Sequence, residues 1–542
     1  MNATLVDRYE PTLADAVPAA PRRAWLVANA VLLLVVAVLL RVWELGNVPG
    51  MNGDEAWSGV QALRLLHGEP IAWTTPTGNP INWFFLLPTA ALHAIWEPSF
   101  GLLRVTSLIS GLAALVVNYL LCTRAFDRRT AVISTLLLAL APINIAYSRF
   151  AWDTSQTLLA TLFVLYLPLI NLRREVRSNW LTGAAFLAFA LAVLVHPTNL
   201  FTVPLLVLPW AWQHRRNFAM VLEHTAMPAK TWLFATLVGL TAAAAYLIWQ
   251  WGIHVRSLHG PDDWGPFVAN YLRLLSGTTV FTYISGADLP SAAMPWSASA
   301  VRVTEVAFWF VALLAVVGQF EQLARSANNS DAALTLGWGT MLVGFFIVAG
   351  PRAVAPHFER YGICLVAPAM LLMVRGLSWW LFESSWSRTA GWIAVLAGWL
   401  WAASFYVNYF EFIHRTGGQS HLTFRTAPIE PKQQALDLVL QKRDPARKAR
   451  IVCDQWWNYW PIAYLAYGQA NVEALTRDAW TELPPSSDQT WFVEFVDPIA
   501  PDELSRPSMA AKPSIPRQVI RDYAGRPLIV VVGPLEKSSQ NY

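Results

Sequence analysis

Charge is what this chain has least of. Only 14% of its 542 residues are Asp, Glu, Lys or Arg, against roughly a quarter in an ordinary soluble domain. Together with 55% hydrophobic residues and a mean hydropathy of +0.38, that scarcity excludes a soluble globular protein and implies a polytopic membrane protein. Cysteine is nearly absent as well. Cys122, Cys364 and Cys453 are odd in number and far apart, and two of them fall in apolar stretches. They read as small structural residues rather than a disulfide, a metal site or a nucleophile. No zinc-type spacing and no basic tract interleaved with aromatics occurs, so nucleic acid is not an expected partner. Internal repeats and low-complexity linkers are missing too. Few ionisable groups interrupt the apolar stretches, which counts against an ion-coupled transporter.

What the chain has in abundance is apolar runs and tryptophan, 28 of them, which suit interfacial belts and apolar-walled cavities. Apolar segments lie near 24–43, 103–123, 130–147, 155–171, 180–196, 198–213, 231–251, 303–320, 333–349, 361–377 and 389–410, which predicts about eleven spans. The first run follows Arg22 and Arg23, exceeds a signal-peptide core and ends at Arg41-Val-Trp-Glu44 without a small-residue cleavage site. It is expected to be an uncleaved span. The apolar stretch 81–96 decides the topology. If it does not cross, the most basic short loops share one side: 1–23, 124–129, 172–179 and 214–230. The segment is therefore expected along the outer interface, or dipping in and returning, as an interfacial helix. The N-terminal tail 1–23 is then cytoplasmic, and the membrane domain spans 24–410 with outer loops 44–102 and 252–302.

In the second of these loops, Phe267, Tyr271, Leu274 and Leu275 recur at helical spacing. This suggests a helix lying in the interface, with simple loop packing as the alternative. Beyond residue 410 the composition turns toward charge and proline. Helix candidates at 431–442 and 457–467 alternate with strand candidates at 449–453, 471–475, 490–496 and 528–532, which implies a soluble extracytoplasmic α/β domain over 411–542. Trp456, Trp457 and Trp460 either stack on a sugar or, the favoured reading, pack this domain onto the membrane part.

Asp54 and Glu55 stand just past the first span, in Met51-Asn-Gly-Asp-Glu-Ala-Trp57. Acidic groups near a bilayer are costly unless solvated or used. The bland alternative is that Asn52 or Asp54 merely caps the helix that follows. Two other stretches reach the same outer face, Ser148-Arg-Phe-Ala-Trp-Asp153 and Pro351-Arg-Ala-Val-Ala-Pro-His-Phe-Glu-Arg-Tyr361. A carboxylate at such a face suits a general base that takes the proton of an acceptor hydroxyl attacking an anomeric carbon. The leaving lipid phosphate wants cations, and Arg149, Arg352 and Arg360 are placed to supply one, or to snorkel at the interface.

The order Asp-Glu-Ala after span one, an interfacial apolar segment, Leu103-Arg-Val-Thr-Ser-Leu-Ile-Ser-Gly111, Ser148-Arg-Phe-Ala-Trp-Asp153 and Arg360-Tyr361 resembles the C-type polytopic membrane glycosyltransferases. It is most similar to the branch of protein O-mannosyltransferases and lipid A aminoarabinose transferases. The resemblance covers about the first 200 residues well, and the rest through topology and the Arg-Tyr pair. It implies inverting transfer of a hexose or pentose from a polyprenyl-phosphate-linked monosaccharide to a lipid, glycan or protein hydroxyl, outside a bacterial cytoplasmic membrane. On that resemblance Asp54, Glu55 and Asp153 are the expected catalytic carboxylates, and Arg149, Arg360 and Tyr361 sit near the donor phosphate. Where family members often carry Lys-Pro-Pro-Leu, this chain has Asn79-Pro-Ile-Asn82. Asn79 thus replaces a lysine, and donor and acceptor identity do not carry over. His357 is a further candidate substrate contact, as is His196 in the turn His196-Pro-Thr-Asn199, although turn or interface roles are favoured for both. No metal or other cofactor is expected, although two outer carboxylates leave room for a divalent ion. The rival readings are a flippase or transporter of lipid-linked sugars, a lipid-linked glycan polymerase, and a noncatalytic scaffold presenting the tail domain.

Overall fold

The computed structural model describes residues 20–76, 78–176, 178–212, 264–325, 329–383, 387–418, 424–496 and 516–537. The basic loop 214–230, the expected span 231–251, the start of loop 252–302 and most of the tail 1–23 lie outside the described residues. Among those described, seven helices are long and apolar enough to cross a membrane: Ala24–Val42, Phe100–Ala125, Asp153–Arg173, Ser297–Arg325, Asn329–Ala349, Glu359–Phe382 and Thr389–Thr416. Three other expected spans are helical but shorter or broken. The stretch 130–147 splits into α5 (Arg128–Leu140) and α6 (Pro142–Tyr147). The stretch 180–196 is α8 (Asn179–Val195). The stretch 198–213 holds the 3-10 turn Pro197–Thr202 followed by helix over 203–212. The protein is thus a mostly helical, polytopic membrane protein with a small sheet in its tail.

The break between α5 and α6 has a local cause. Pro142 has no N–H to continue the α5 ladder and drives Ala141 to an extended ψ of 118°. Asn144 Nδ2 donates to the carbonyl of Leu138, 2.8 Å away, which satisfies one acceptor freed by the break. The broken rod delivers residues 148–153 to the same end of the bundle as the C-terminus of α1 (Ala20–Val42).

After α1, the chain makes α2 (Gly53–Leu66) and α3 (Trp83–His93) before α4 (Phe100–Ala125) re-enters the bundle. At 11 residues, α3 is too short to cross a bilayer, which needs about 20. Asn82 caps it by accepting from Phe84 N–H at 3.0 Å. In the helix Trp264–Ser276, the residues with helical spacing, Phe267, Tyr271, Leu274 and Leu275, are all buried in the main core. The expected helix forms, and this face of it packs against protein.

The tail forms a five-stranded mixed sheet in the order β2-β1-β3-β5-β4, from β1 (Ala449–Cys453), β2 (Val472–Thr476), β3 (Ser486–Phe495), β4 (Arg517–Arg521) and β5 (Pro527–Lys537). β1 runs parallel to β2 and β3, while β5 is antiparallel to β3 and β4. Alternation along β1 explains its two covered faces. Ala449, Ile451 and Cys453 pack with Leu436, Val439 and Ile462 of the helices Pro431–Lys442 and Trp456–Leu465. Val452 packs the opposite way, with Trp480 and Phe492.

This tail buttresses α2. A Cβ on Gly53 would lie 2.5 Å from the Trp456 ring, and one on Gly59 would lie 2.6 Å from the Tyr464 ring. Tyr464 Oη also donates to the carbonyl of Ser99 at 3.0 Å. Trp456 and Trp460 of the cluster thus pack this domain against α2. Gly59→Ala tests the fit. Helix propensity alone would make alanine about 1 kcal/mol better, but the overlap with Tyr464 and Leu103 forces repacking that costs typically 1–3 kcal/mol. The variant is expected to melt below the wild type in detergent; a higher melting temperature would mean that the tail does not press on α2.

Candidate active site at one end of the bundle

The acidic pair divides its labour. Asn52 caps α2, accepting from Asp54 N–H at 2.8 Å, and Glu55 closes a capping box by accepting from Asn52 N–H at 3.1 Å. Glu55 is fully buried, and Arg104 of α4 grips it with two parallel hydrogen bonds, Nε to Oε1 at 2.9 Å and an Nη to Oε2 at 2.8 Å. Ala151 N–H donates to Oε1 at 2.8 Å. Each carboxylate oxygen thus accepts twice. Its carboxylate thereby holds α2, α4 and the 149–153 turn together.

Arg149 is likewise engaged with the protein itself. It is fully buried, and its guanidinium donates to the carbonyls of Leu40, Arg41, Glu44 and Val48 at 2.6 to 3.3 Å. Leu40 and Arg41 lie at the C-terminus of α1, whose free carbonyls a cation suits, and Glu44 and Val48 lie just beyond it. Its guanidinium also lies 4.7 Å from the Phe410 ring centroid, so Arg149 caps the end of α1.

Asp54, one residue earlier on α2, faces the other way. It shares a cleft with Asp153, Arg360, Asn79, His196, Trp57 and Trp152. Asp153 opens the 3-10 turn that leads into α7 (Thr157–Arg173), and its Oδ1 accepts from Thr154 N–H at 2.8 Å. Asn82 fixes this turn by donating to the carbonyl of Asp153 at 3.1 Å and to Gln156 Oε1 at 3.0 Å. Arg360 enters from the 3-10 segment Glu359–Leu365. It donates to Tyr361 Oη at 3.3 Å and lies 5.7 Å from the Trp152 ring centroid. Among the described residues no salt bridge engages it. Asn79 sits in the hairpin closed by the Thr74–Pro80 bridge, its N–H donating to Thr75 Oγ1 at 3.1 Å.

Burial pushes the Asp54 carboxyl up to about 6, against the pull of Arg360 and with the repulsion of Asp153 and Glu55. The group is therefore poised close to neutral pH, where a general base works best. His196, for which the sequence favoured a turn role, lines the cleft as well. Burial, aided by Arg360, pushes its pKa down to about 3, which keeps the ring neutral. Its Nδ1 pairs with Thr198 Oγ1 at 2.7 Å. Of the other expected contacts, Tyr361 lies beside the cleft with its ring 6.2 Å from that of His196. His357 is exposed, has a left-handed φ of 76°, and packs against Tyr283 at 4.6 Å. It does not line the cleft. Arg352 is likewise exposed and outside the cleft. Among the described residues, no group of three His, Cys, Asp or Glu side chains is arranged to hold a metal.

No protein-family model matches the chain, and no curated protein matches it. Among solved structures it is similar to ArnT from Cupriavidus metallidurans in the apo state, with a TM-score of 0.51 at 14% identity over 94% of this chain and 98% of that one. It is also similar to the same protein bound to undecaprenyl phosphate, with a TM-score of 0.50 at 15% identity over 94% and 98% of the two chains. An Archaeoglobus fulgidus oligosaccharyltransferase in complex with zinc and sulfate follows, at TM-score 0.48 and 15% identity over 86% of this chain and 68% of that chain. At these identities the likeness is one of fold, shared with ArnT over nearly the whole of both chains.

The two carboxylates of the acidic pair are expected to respond oppositely to amide substitution. Glu55→Gln places an N–H₂ among donors and leaves Arg104 buried without its anion, a loss of about 3–5 kcal/mol. Asp54 behaves the other way. Its folded pKa lies above its unfolded value, so the stability it contributes is fully present below about pH 4 and is lost as pH rises through 6. At pH 7.5, Asp54→Asn should therefore melt no lower than the wild type, whereas Glu55→Gln should melt well below it. Thermal unfolding of both variants in one detergent checks this, and equal losses would contradict the division of roles.

Proposed function

We propose that the protein transfers a sugar from a polyprenyl-phosphate-linked monosaccharide to an acceptor hydroxyl, with inversion, at the outer face of a bacterial cytoplasmic membrane. One observation carries this reading: a carboxylate poised near neutrality and an arginine that has no salt bridge among the described residues line the same cleft at one end of the bundle. The undecaprenyl phosphate bound to ArnT supports a polyprenyl phosphate as the lipid part of the donor.

Asp54 is the general base. It takes the proton from the acceptor hydroxyl as that oxygen attacks the anomeric carbon, and the bond from that carbon to the donor phosphate oxygen breaks with its electron pair. The polyprenyl phosphate so released gains negative charge, which the Arg360 guanidinium meets with directional N–H donors in a partly dehydrated cleft. Displacement in one step from the face opposite the leaving group inverts the anomeric centre. Asp153 orients the acceptor hydroxyl, and Tyr361 holds the Arg360 fork in place. The neutral His196 ring and Asn79 offer hydrogen bonds to sugar hydroxyls, and Trp57 and Trp152 offer apolar faces. The step as written uses no metal, and turnover is expected to survive chelation with EDTA.

The test uses purified protein in lipid discs with radiolabelled polyprenyl-phosphate monosaccharides and a membrane and cell-wall acceptor fraction. Asp54→Asn is expected to lower release of polyprenyl phosphate by about 10²- to 10⁴-fold. Arg360→Ala is expected to lower kcat and raise KM for the donor. In the wild type, kcat/KM should be flat above pH 6 and fall about tenfold per unit below it, because the base must be unprotonated in the free enzyme. Turnover by Asp54→Asn at the wild-type rate would sink the mechanism.

A further inference from the structure

A second cavity lies far from the cleft, and the mechanism does not use it. It has a volume of about 590 Å³ and is lined by Asp127, Arg128, Arg129, Arg325, Arg375 and Phe382, among others. These come from three places: the α4–α5 turn, the end of the helix Ser297–Arg325, and the end of Val366–Ser378 with the turn beyond it. The 26-residue α4 carries Arg104, which grips Glu55, near its first turn and the cavity just past its last. At about 1.5 Å per residue, the cavity and the active-site end are about 39 Å apart. They therefore occupy opposite ends of the bundle.

Four arginines against one aspartate line this cavity, and they are not equivalent. Arg375 is spoken for, with two parallel hydrogen bonds to Asp331 at 2.8 and 2.9 Å and a third to Thr130 Oγ1 at 3.3 Å. The single lining carboxylate, Asp127, caps α5 by accepting from Thr130 N–H at 2.9 Å and Thr130 Oγ1 at 2.7 Å. Arg129 rests over the Phe382 ring at 5.2 Å. Among the described residues, neither Arg128 nor Arg129 has a salt bridge. The cavity thus presents exposed cations around a fixed, charge-compensated floor.

The apolar surface beside it decides what kind of anion fits. Leu313, Val317, Glu321 and Arg325 follow one another at intervals of four and so share one face of their helix. Leu313 is 60% exposed and Val317 45% exposed, as residues facing acyl chains would be. That row leads from hydrocarbon-facing leucine to the arginine at the cavity. We propose that the cavity binds the phosphodiester headgroup of an anionic membrane lipid from the leaflet opposite the active site, with the acyl chains lying along the Leu313–Val317 row. Phosphate oxygens match the guanidinium fork, and juxtamembrane basic residues attract anionic headgroups.

Native mass spectrometry of the detergent-purified full chain, titrated with dioleoylphosphatidylglycerol or dioleoylphosphatidylcholine, tests the proposal. The wild type is expected to prefer phosphatidylglycerol by about tenfold or more. The exposed-residue double variant Arg128→Gln/Arg129→Gln should lose that preference, whereas Arg124→Gln/Arg174→Gln, exposed arginines of the same basic loops, should keep it. Inorganic phosphate at a few millimolar should not displace the lipid. Equal binding of phosphatidylcholine, an unchanged preference in the first double variant, an equal loss in the second, or displacement by inorganic phosphate would each overturn the proposal. The last would identify a soluble phosphate site instead.

Discussion

The buried ion pair between Glu55 and Arg104 is the constraint on which the rest of the site depends. Both side chains are withdrawn from water, and such a pair is tolerable only when every lone pair and proton finds a partner. That requirement recruits the surroundings. Arg104 also donates to the carbonyls of Leu45 and Pro49 at 2.9 and 3.1 Å, and Glu55 accepts from Asn52 and Ala151. One carboxylate and one guanidinium thereby fix the chain after α1, the start of α2, the body of α4 and the 149–153 turn. Asp54 adjoins this knot on one side and Asp153 on another, so the cleft inherits its geometry from the pair.

Two further devices hold the knot in place. Arg149 gathers the carbonyls at the end of α1, which orients the broken α5–α6 rod against the first helix. From the other side, the tail domain seats its tryptophan-rich helix on the glycine face of α2. Glu430, ahead of the helix Pro431–Lys442, accepts from Met51 N–H at 3.1 Å, and Thr426 Oγ1 accepts from Gly50 N–H at 2.9 Å. The tail is therefore bonded to the segment that leads into Asp54. Rigid support on every side lets a carboxyl stay partly buried beside a second acid without rearranging to escape it.

Much of this was legible in the residue pattern. The tail elements announced themselves by alternation and turn residues, and the helix Pro431–Lys442 and strand Ala449–Cys453 fall where the pattern puts them. Strand β4 was missed; its five residues Arg517–Arg521 are charged at both ends and carry little apolar signal. Span lengths were less legible, because Pro142 breaks one apolar run and the turn Pro197–Thr202 shortens another. At the site, Asp54, Asp153, Arg360 and Asn79 converge from four separate stretches, and the motifs named all four. The hydrogen bonds of Glu55 and Arg149 to the protein are not legible in sequence, because a charged residue at a membrane boundary looks the same whether it meets substrate or backbone. The one available signal was Asn52 followed three residues later by Glu55, a capping-box spacing. His196 was weighed as a turn residue, and it is one; only the fold shows that its ring also reaches the cleft.

The most direct test of the account is chemical rescue of the base. Asp54→Ala removes the carboxylate and opens space beside Arg360, so added formate can supply an external base in the same place. If Asp54 is the base, Asp54→Ala should turn over donor slowly and recover with rising formate concentration, while Glu55→Ala should show no such recovery. Donor turnover by Asp54→Ala at the wild-type rate, indifferent to formate, would contradict the account.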